Sequence, residues 1–139
     1  MSMAIETRLD ARFLHVRAFG DFSLGEAKRT LREMLEAATS HKARKVLFDG
    51  RDVVGDPETM ERFYYGEFAA QLVASFADRE RPYVPQFAYV LLEPVLDPQR
   101  FGERIARDRG MYVKCFNRLD EAIAWLSASP DTRPGPGQC

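Results

Sequence analysis

The chain is 139 residues long, which by size is one domain able to bury roughly two-thirds of its unfolded surface without a cofactor or a disulfide. Twenty lysine and arginine residues against 21 acidic ones leave a formal charge of -1, so the basic excess needed to bind a phosphate backbone is missing and nucleic acid is excluded as the expected partner. The opening MSMAIETRLDARF has no basic segment followed by an apolar core, and no run approaches about eighteen apolar residues; neither signal peptide nor membrane span is expected, and the protein reads as cytoplasmic with Cys115 and Cys139 reduced.

Residues 4 to 9 and 12 to 19 are short extended runs joined around Asp10 and Ala11, too close for a crossover, and are expected to form an antiparallel hairpin. Ser23 and Glu26 then have the spacing of a capping box and predict a helix start. Its apolar stripe is Leu24, Ala27, Leu31, Met34, Leu35 and Ala38, with Lys28, Arg29, Arg32 and Glu36 on the other side. Val46, Leu47 and Phe48 make a third strand. The acidic stretch after it reads as a loop, ended by Asp56 as the cap of a second helix with Pro57 in its first position. Met60, Tyr64, Phe68, Leu72 and Phe76 form the expected inward stripe of that helix. Residues 87 to 92 are a fourth strand, Asp97 and Pro98 repeat the cap-and-proline start, and Gly110 ends the third helix in the left-handed conformation. Residues 111 to 116 are a fifth strand. A last helix covers 119 to 126, with Leu119, Ala122, Ile123 and Leu126 inward. Residues 129 to 139 carry Pro130, Pro134 and Pro136 and no apolar period, so a flexible tail is expected after a single domain at 1 to 128.

A hairpin followed by strand-helix alternation predicts an α/β domain with about five strands, mostly parallel, and an N-terminal antiparallel pair. Strand alternation turns Leu14, Val16 and Ala18 one way and Phe13, His15, Arg17 and Phe19 the other. Met111, Val113 and Cys115 oppose Tyr112, Lys114 and Phe116 in the same manner. A sheet buried on both faces would not carry Arg17 and Lys114. The helices are therefore expected mainly on one face, leaving an aromatic and basic surface on the other.

A hairpin, a capped helix, KVLFDGRD at 45 to 52, a further helix and MYVKCFNRLDEAIAWL at 111 to 126 together resemble the STAS-like domains, related to the anti-sigma-factor antagonists of sporulating bacteria and to SEC14-like proteins. The resemblance spans about residues 4 to 127 and rests on the aspartate ending the third strand and on the closing E-A-I-A-W-L pattern at Glu121 to Leu126. It implies a SpoIIAA-like (βα) superhelical sheet and a non-catalytic role in binding proteins, nucleotides or small apolar ligands. Regulatory members carry a phosphorylatable serine at the start of the helix after the third strand. Asp56, Pro57 and Glu58 stand there in this chain, so no phosphosite is expected; Thr59 is the sole hydroxyl near.

Asp49, Arg51, Asp52 and Asp56 gather at the carboxyl end of a parallel strand, where open α/β sheets place ligands. No histidine or cysteine lies near them, and Gly50 and Gly55 lack P-loop spacing. The expected roles are therefore a cap for Asp56 and a turn anchor for Asp49, with no metal site. His15 has no triad partner placed by sequence, His41 suits a helix C-terminus, Cys115 faces the core, and Trp125 belongs at the sheet margin. RFYYGEF, residues 62 to 68, is too rich in aromatics for one narrow stripe; it is either a wide core face or a contact surface.

These readings converge on a non-catalytic binding or regulatory domain that self-associates as a homo-oligomer, with a protein partner or a small apolar ligand or lipid as alternatives. An enzyme built on Asp49, Arg51 and Asp52 is the third reading. The candidate binding residues are Phe13, His15, Arg17, Asp49, Arg51, Asp52, Phe63, Tyr65, Tyr112 and Lys114, with the oligomer contact expected on the outer sheet face and on the flank of the second helix.

Overall fold

The computed structural model describes residues 2–10, 12–76 and 85–128; the tail expected at 129–139, with Cys139, lies outside the described residues. The elements run β1 (Ala4–Leu9), β2 (Leu14–Asp21), α1 (Leu24–Ser40), β3 (Lys45–Val54), α2 (Thr59–Ser75), β4 (Gln86–Val90), α3 (Phe101–Asp108), β5 (Val113–Phe116) and α4 (Leu119–Ala128). The sheet has the order β1-β2-β3-β4-β5, antiparallel between β1 and β2 and parallel elsewhere.

That monotonic order explains the helix layer. Each parallel crossover is right-handed and advances in the same direction, so α1, α2 and α3 must fall on one face. Their inward residues join Leu14, Val16, Val46, Phe48, Phe87 and Val113 in the main core. The last described element, α4, folds onto the opposite face over β3, β4 and β5. Ala122 and Leu126 there bury Leu47, Ala88, Val90, Phe13 and Phe116 in a second, smaller core. The buried Lys45 closes this packing by donating from Nζ to the Leu126 carbonyl at 2.6 Å, near the carbonyl-rich end of α4.

Sequence and structure part in several places. The stretch read as a loop after Phe48 is strand. β3 continues to Val54 and stays paired with β2 through a bulge, because Arg17 and Phe19 oppose Asp49 and Asp52. The extra residue shifts the alternation by one, which brings Val53 into the main core. Asp49 is thus a strand residue, not a turn anchor. Asp56 does not cap α2: the cap is Glu58, whose N–H donates to the Glu61 carboxylate at 2.9 Å. Pro57 disfavours helical backbone at Asp56, and Glu58 is itself still extended, so the helix starts later. Asp97 caps the turn before α3 by accepting from Gln99 N at 3.1 Å and Phe101 N at 2.9 Å, so α3 starts later than the proline suggested. Ser23 does cap α1, accepting from Glu26 N at 3.3 Å, but the Glu26 carboxylate is taken by Arg29 Nε at 2.7 Å and does not complete the box.

The inward stripe of α2 is also different. Met60 and Tyr64 are exposed, while Gly66, Ala69, Ala70, Leu72 and Val73 are buried. The reason lies in α3: a Cβ on Gly66 would stand 2.6 Å from the Gly102 carbonyl oxygen, so the two helices meet backbone to backbone through small residues. The sequence reading followed the large side chains instead.

Candidate functional site

The outer face of the sheet gathers part of the expected site. Arg17 Nη2 meets Asp52 Oδ2 at 2.9 Å, its Nη1 lies 3.8 Å from Glu6 Oε1, and its guanidinium covers the Phe19 ring at 4.8 Å. Arg51 grips Asp49 with two bonds, Nε to Oδ1 at 2.9 Å and Nη2 to Oδ2 at 2.8 Å. Those bonds, ahead of the partial burial that opposes them, hold the Asp49 carboxyl below its ordinary range. General acid or base work near neutral pH needs the reverse. His15 Nε2 contacts Asp10 Oδ2 at 2.7 Å. Asp10 is itself held near 2, first by the N–H groups of Phe13 and Arg12 and then by His15. Every charge in this cluster has an opposite partner, and among the described residues no group of three or more His, Cys, Asp or Glu could hold a metal ion.

The remaining expected residues lie elsewhere. Phe13 and Phe116 are buried under α4, so the outer face is not the open aromatic surface that alternation implied. Tyr112 meets the Trp125 ring edge-on at 5.5 Å, and Lys114 sits 5.4 Å over Phe116. Phe63 is half-buried, with Phe101 at 6.4 Å and the Arg109 guanidinium at 5.6 Å. Tyr65 does not reach a flank: its hydroxyl turns inward to the Tyr89 hydroxyl at 2.9 Å. Thr59, the first residue of α2, is exposed.

Sequence reasoning missed a cavity of about 120 Å³ on the helix side, between α2, α3 and the carboxyl ends of the parallel strands. Phe22, Phe48, Tyr89, Leu91, Leu96 and Val113 give it apolar walls. Phe48 and Tyr89 stack with centroids 4.5 Å apart. Arg62 closes one lip by donating to the Val95 carbonyl at 2.8 Å and the Pro94 carbonyl at 2.7 Å. One corner is polar. Arg100 Nη1 donates to the Cys115 carbonyl at 2.7 Å, and the Cys115 N–H donates to Glu103 Oε1. Arg100 Nε is buried with no hydrogen-bond partner among the described residues. Burial, and then the adjacent Glu103 carboxylate, push the Cys115 thiol far above its ordinary range, so it is no nucleophile. Alternation could have set Tyr89 beside Cys115, since the two are register partners. Nothing local in the sequence announced Arg100 or Glu103.

A second missed feature is apolar surface where β3 runs into α2. Val54, Met60 and Tyr64 are 56, 54 and 47 % exposed, most of the large exposed hydrophobics among the described residues.

No family model matches the chain, and no curated protein matches it in sequence. Solved structures do. An anti-sigma factor antagonist from Mycobacterium paratuberculosis has a TM-score of 0.55 over 91 % of this chain and 95 % of its own, at 13 % identity. The chain has the STAS-like fold. A further structure, an uncharacterized protein from the DUF3478 family with a SpoIIAA-like fold from Shewanella loihica, has a TM-score of 0.48 at 16 % identity, over 90 % of this chain and 94 % of its own. The STAS-like arrangement of hairpin, parallel strands and four helices is the one that KVLFDGRD and EAIAWL implied. No described helix is long and apolar enough to cross a membrane.

Proposed function

We propose that this STAS-like chain is a non-catalytic binding domain that docks a protein, in the first instance a second copy of itself, on the corner between β3 and α2. The supporting observation is the exposure of Val54, Met60 and Tyr64 there. Met60 and Tyr64 lie one helical turn apart and share a face. Exposed apolar side chains that share a face mark contact surfaces more often than singly scattered ones do, and a net charge of -1 gives copies little reason to repel. An anti-sigma factor antagonist, by its name, acts against another protein, which agrees with docking on this fold. The pairing of Asp49 and Asp52 with arginines speaks against the enzyme reading.

The test is light scattering on a size-exclusion column at tens of micromolar. The unmutated chain should run as an oligomer, and Met60→Glu and Tyr64→Glu should each return it to monomer. An unmutated monomer removes the reading, and an oligomer indifferent to both charges puts the contact elsewhere.

The cavity favours a second reading, compatible with the first: the domain holds a small apolar ligand. Native mass spectrometry of the purified chain would reveal a retained mass, and its loss on denaturation.

A further inference from the structure

Resting on that second reading, we propose that the cavity takes one uncharged, ring-sized aromatic molecule carrying a single small oxygen substituent, with the ring between the aromatic walls and the oxygen on Arg100 Nε. Size comes first. A cavity of about 120 Å³ is of the order of the engineered apolar cavity of about 150 Å³ that holds benzene. An acyl chain of lipid length would leave most of its carbons outside such a space, so the lipid reading is set aside for this site. The walls come second: Phe22, Phe48, Tyr65 and Tyr89 all line the space, and a flat ring can meet them in stacked or edge-on contact.

The polar corner fixes the substituent. A buried guanidinium N–H without a partner is costly, and an oxygen acceptor placed against it removes that cost. The polar groups around it are engaged with one another. Arg100 Nη1 holds the Cys115 carbonyl, Glu103 Oε1 holds the Cys115 N–H, and Tyr65 and Tyr89 hold each other. The lining carries Arg62 and Arg100 against Glu61, Asp97 and Glu103, so a ligand carboxylate would add an anion, beside Glu103, to a wall that already has more acids than bases. Phenol-like molecules satisfy these conditions; benzoate-like ones do not.

The experiment uses the full chain, isotope-labelled, with phenol, toluene, benzoate and decanol as separate probes, reading amide shifts and calorimetric affinity. Phenol and toluene are near-isosteric and differ in the oxygen alone. Expected is binding of both, phenol about tenfold tighter, with shifts centred on Tyr65, Tyr89, Val113 and Cys115, and none with benzoate. Arg100→Lys keeps the charge and removes Nε; it should abolish the phenol advantage and leave toluene affinity unchanged. Ala106→Leu, or the smaller Ala69→Val should the first fold poorly, should abolish both by filling the space. Benzoate binding as well as phenol, or phenol shifts mapping outside the cavity, overturns the proposal. Binding of decanol with no binding of either ring overturns it while the apolar-ligand reading survives. No binding by any probe at millimolar concentration removes both.

Discussion

The hydroxyls of Tyr65 on α2 and Tyr89 on β4 share a hydrogen bond of 2.9 Å on the wall of the helix-side cavity. Burial pushes both phenols well above their ordinary value of about 10. A group whose folded value is raised contributes stability in full below its unfolded value and loses it as pH rises, because the unfolded chain releases the proton first. Stability should therefore hold up to about pH 10 and fall above it. In an absorbance titration Tyr65 and Tyr89 should ionise only above the ordinary tyrosine range, together with loss of far-ultraviolet circular dichroism. Smooth ionisation of every tyrosine near pH 10 with the dichroism intact would contradict the burial.

The same pair makes a double-mutant cycle. Tyr65→Phe leaves the Tyr89 hydroxyl buried and unpaired and should cost about 1–3 kcal/mol. The double variant with Tyr89→Phe has no hydroxyl left to strand, so it should be less destabilised than the two single effects summed. Urea unfolding of the four proteins measures this. Strict additivity would mean that the two hydroxyls do not depend on one another.

Ser23 and Asp56 were equally good caps by residue type, and the structure separates them. Ser23→Ala should weaken folding by about 0.5–2 kcal/mol through loss of the bond from Glu26 N. Asp56→Ala, at an exposed position ahead of the helix, should stay within about 0.5 kcal/mol. Denaturant midpoints that place the two effects the other way round would restore the earlier helix boundary.

What separates these residues also marks the limit of reading the chain alone. Ser23 and Glu26 act within one turn, and so the start of α1 was visible in sequence. The alternation of strands and helices after the hairpin was visible too, because crossover lengths and periodicity are local signals; the order of the strands in the sheet was not. The extension of β3 was not, since Val53 reaches the core only through a bulge set by β2. The large residues Met60 and Tyr64 looked inward by spacing; the close approach of Gly66 to Gly102, a long-range relation, turned them out. Of the expected site, Arg17, Asp49, Arg51 and Asp52 do meet, as partnered charges. The cavity draws Phe22, Tyr65, Tyr89, Arg100 and Cys115 from separate parts of the chain, and no spacing rule could assemble them.

Acid should find the hairpin. Asp10 accepts from Arg12 N at 2.7 Å and from Phe13 N at 3.0 Å, and with His15 these bonds lower its carboxyl to about 2. A depressed carboxylate contributes stability above its unfolded value of about 3.9, and that contribution is lost as pH falls from there towards 2. Melting temperatures measured from pH 6 down to about pH 2 should fall less steeply for Asp10→Asn than for the unmutated chain. Parallel curves would show that the turn contributes nothing through ionisation.

The two glycines at the contact between α2 and α3 give the last test, because helix propensity and packing oppose each other there. Replacing a helix-interior glycine by alanine ordinarily gains about 1 kcal/mol. At Gly66 the new Cβ would stand 2.6 Å from the Gly102 oxygen and 3.2 Å from Ile105 Cβ, and the nearer atom is backbone that cannot rotate away. Overpacking of this kind costs about 1–3 kcal/mol, so Gly66→Ala should be destabilising on balance. At Gly102 the nearest atom is the Arg62 oxygen at 3.1 Å, a contact that yields with a shift of a few tenths of an ångström, and gain and cost should nearly cancel. Chemical denaturation of both variants decides the matter. If both alanines stabilise the chain alike, α2 and α3 are free to separate and the cavity wall between them is not fixed. If Gly66→Ala alone destabilises, and phenol affinity falls with it, the tight crossing of these helices is what holds the cavity at the size of a single ring.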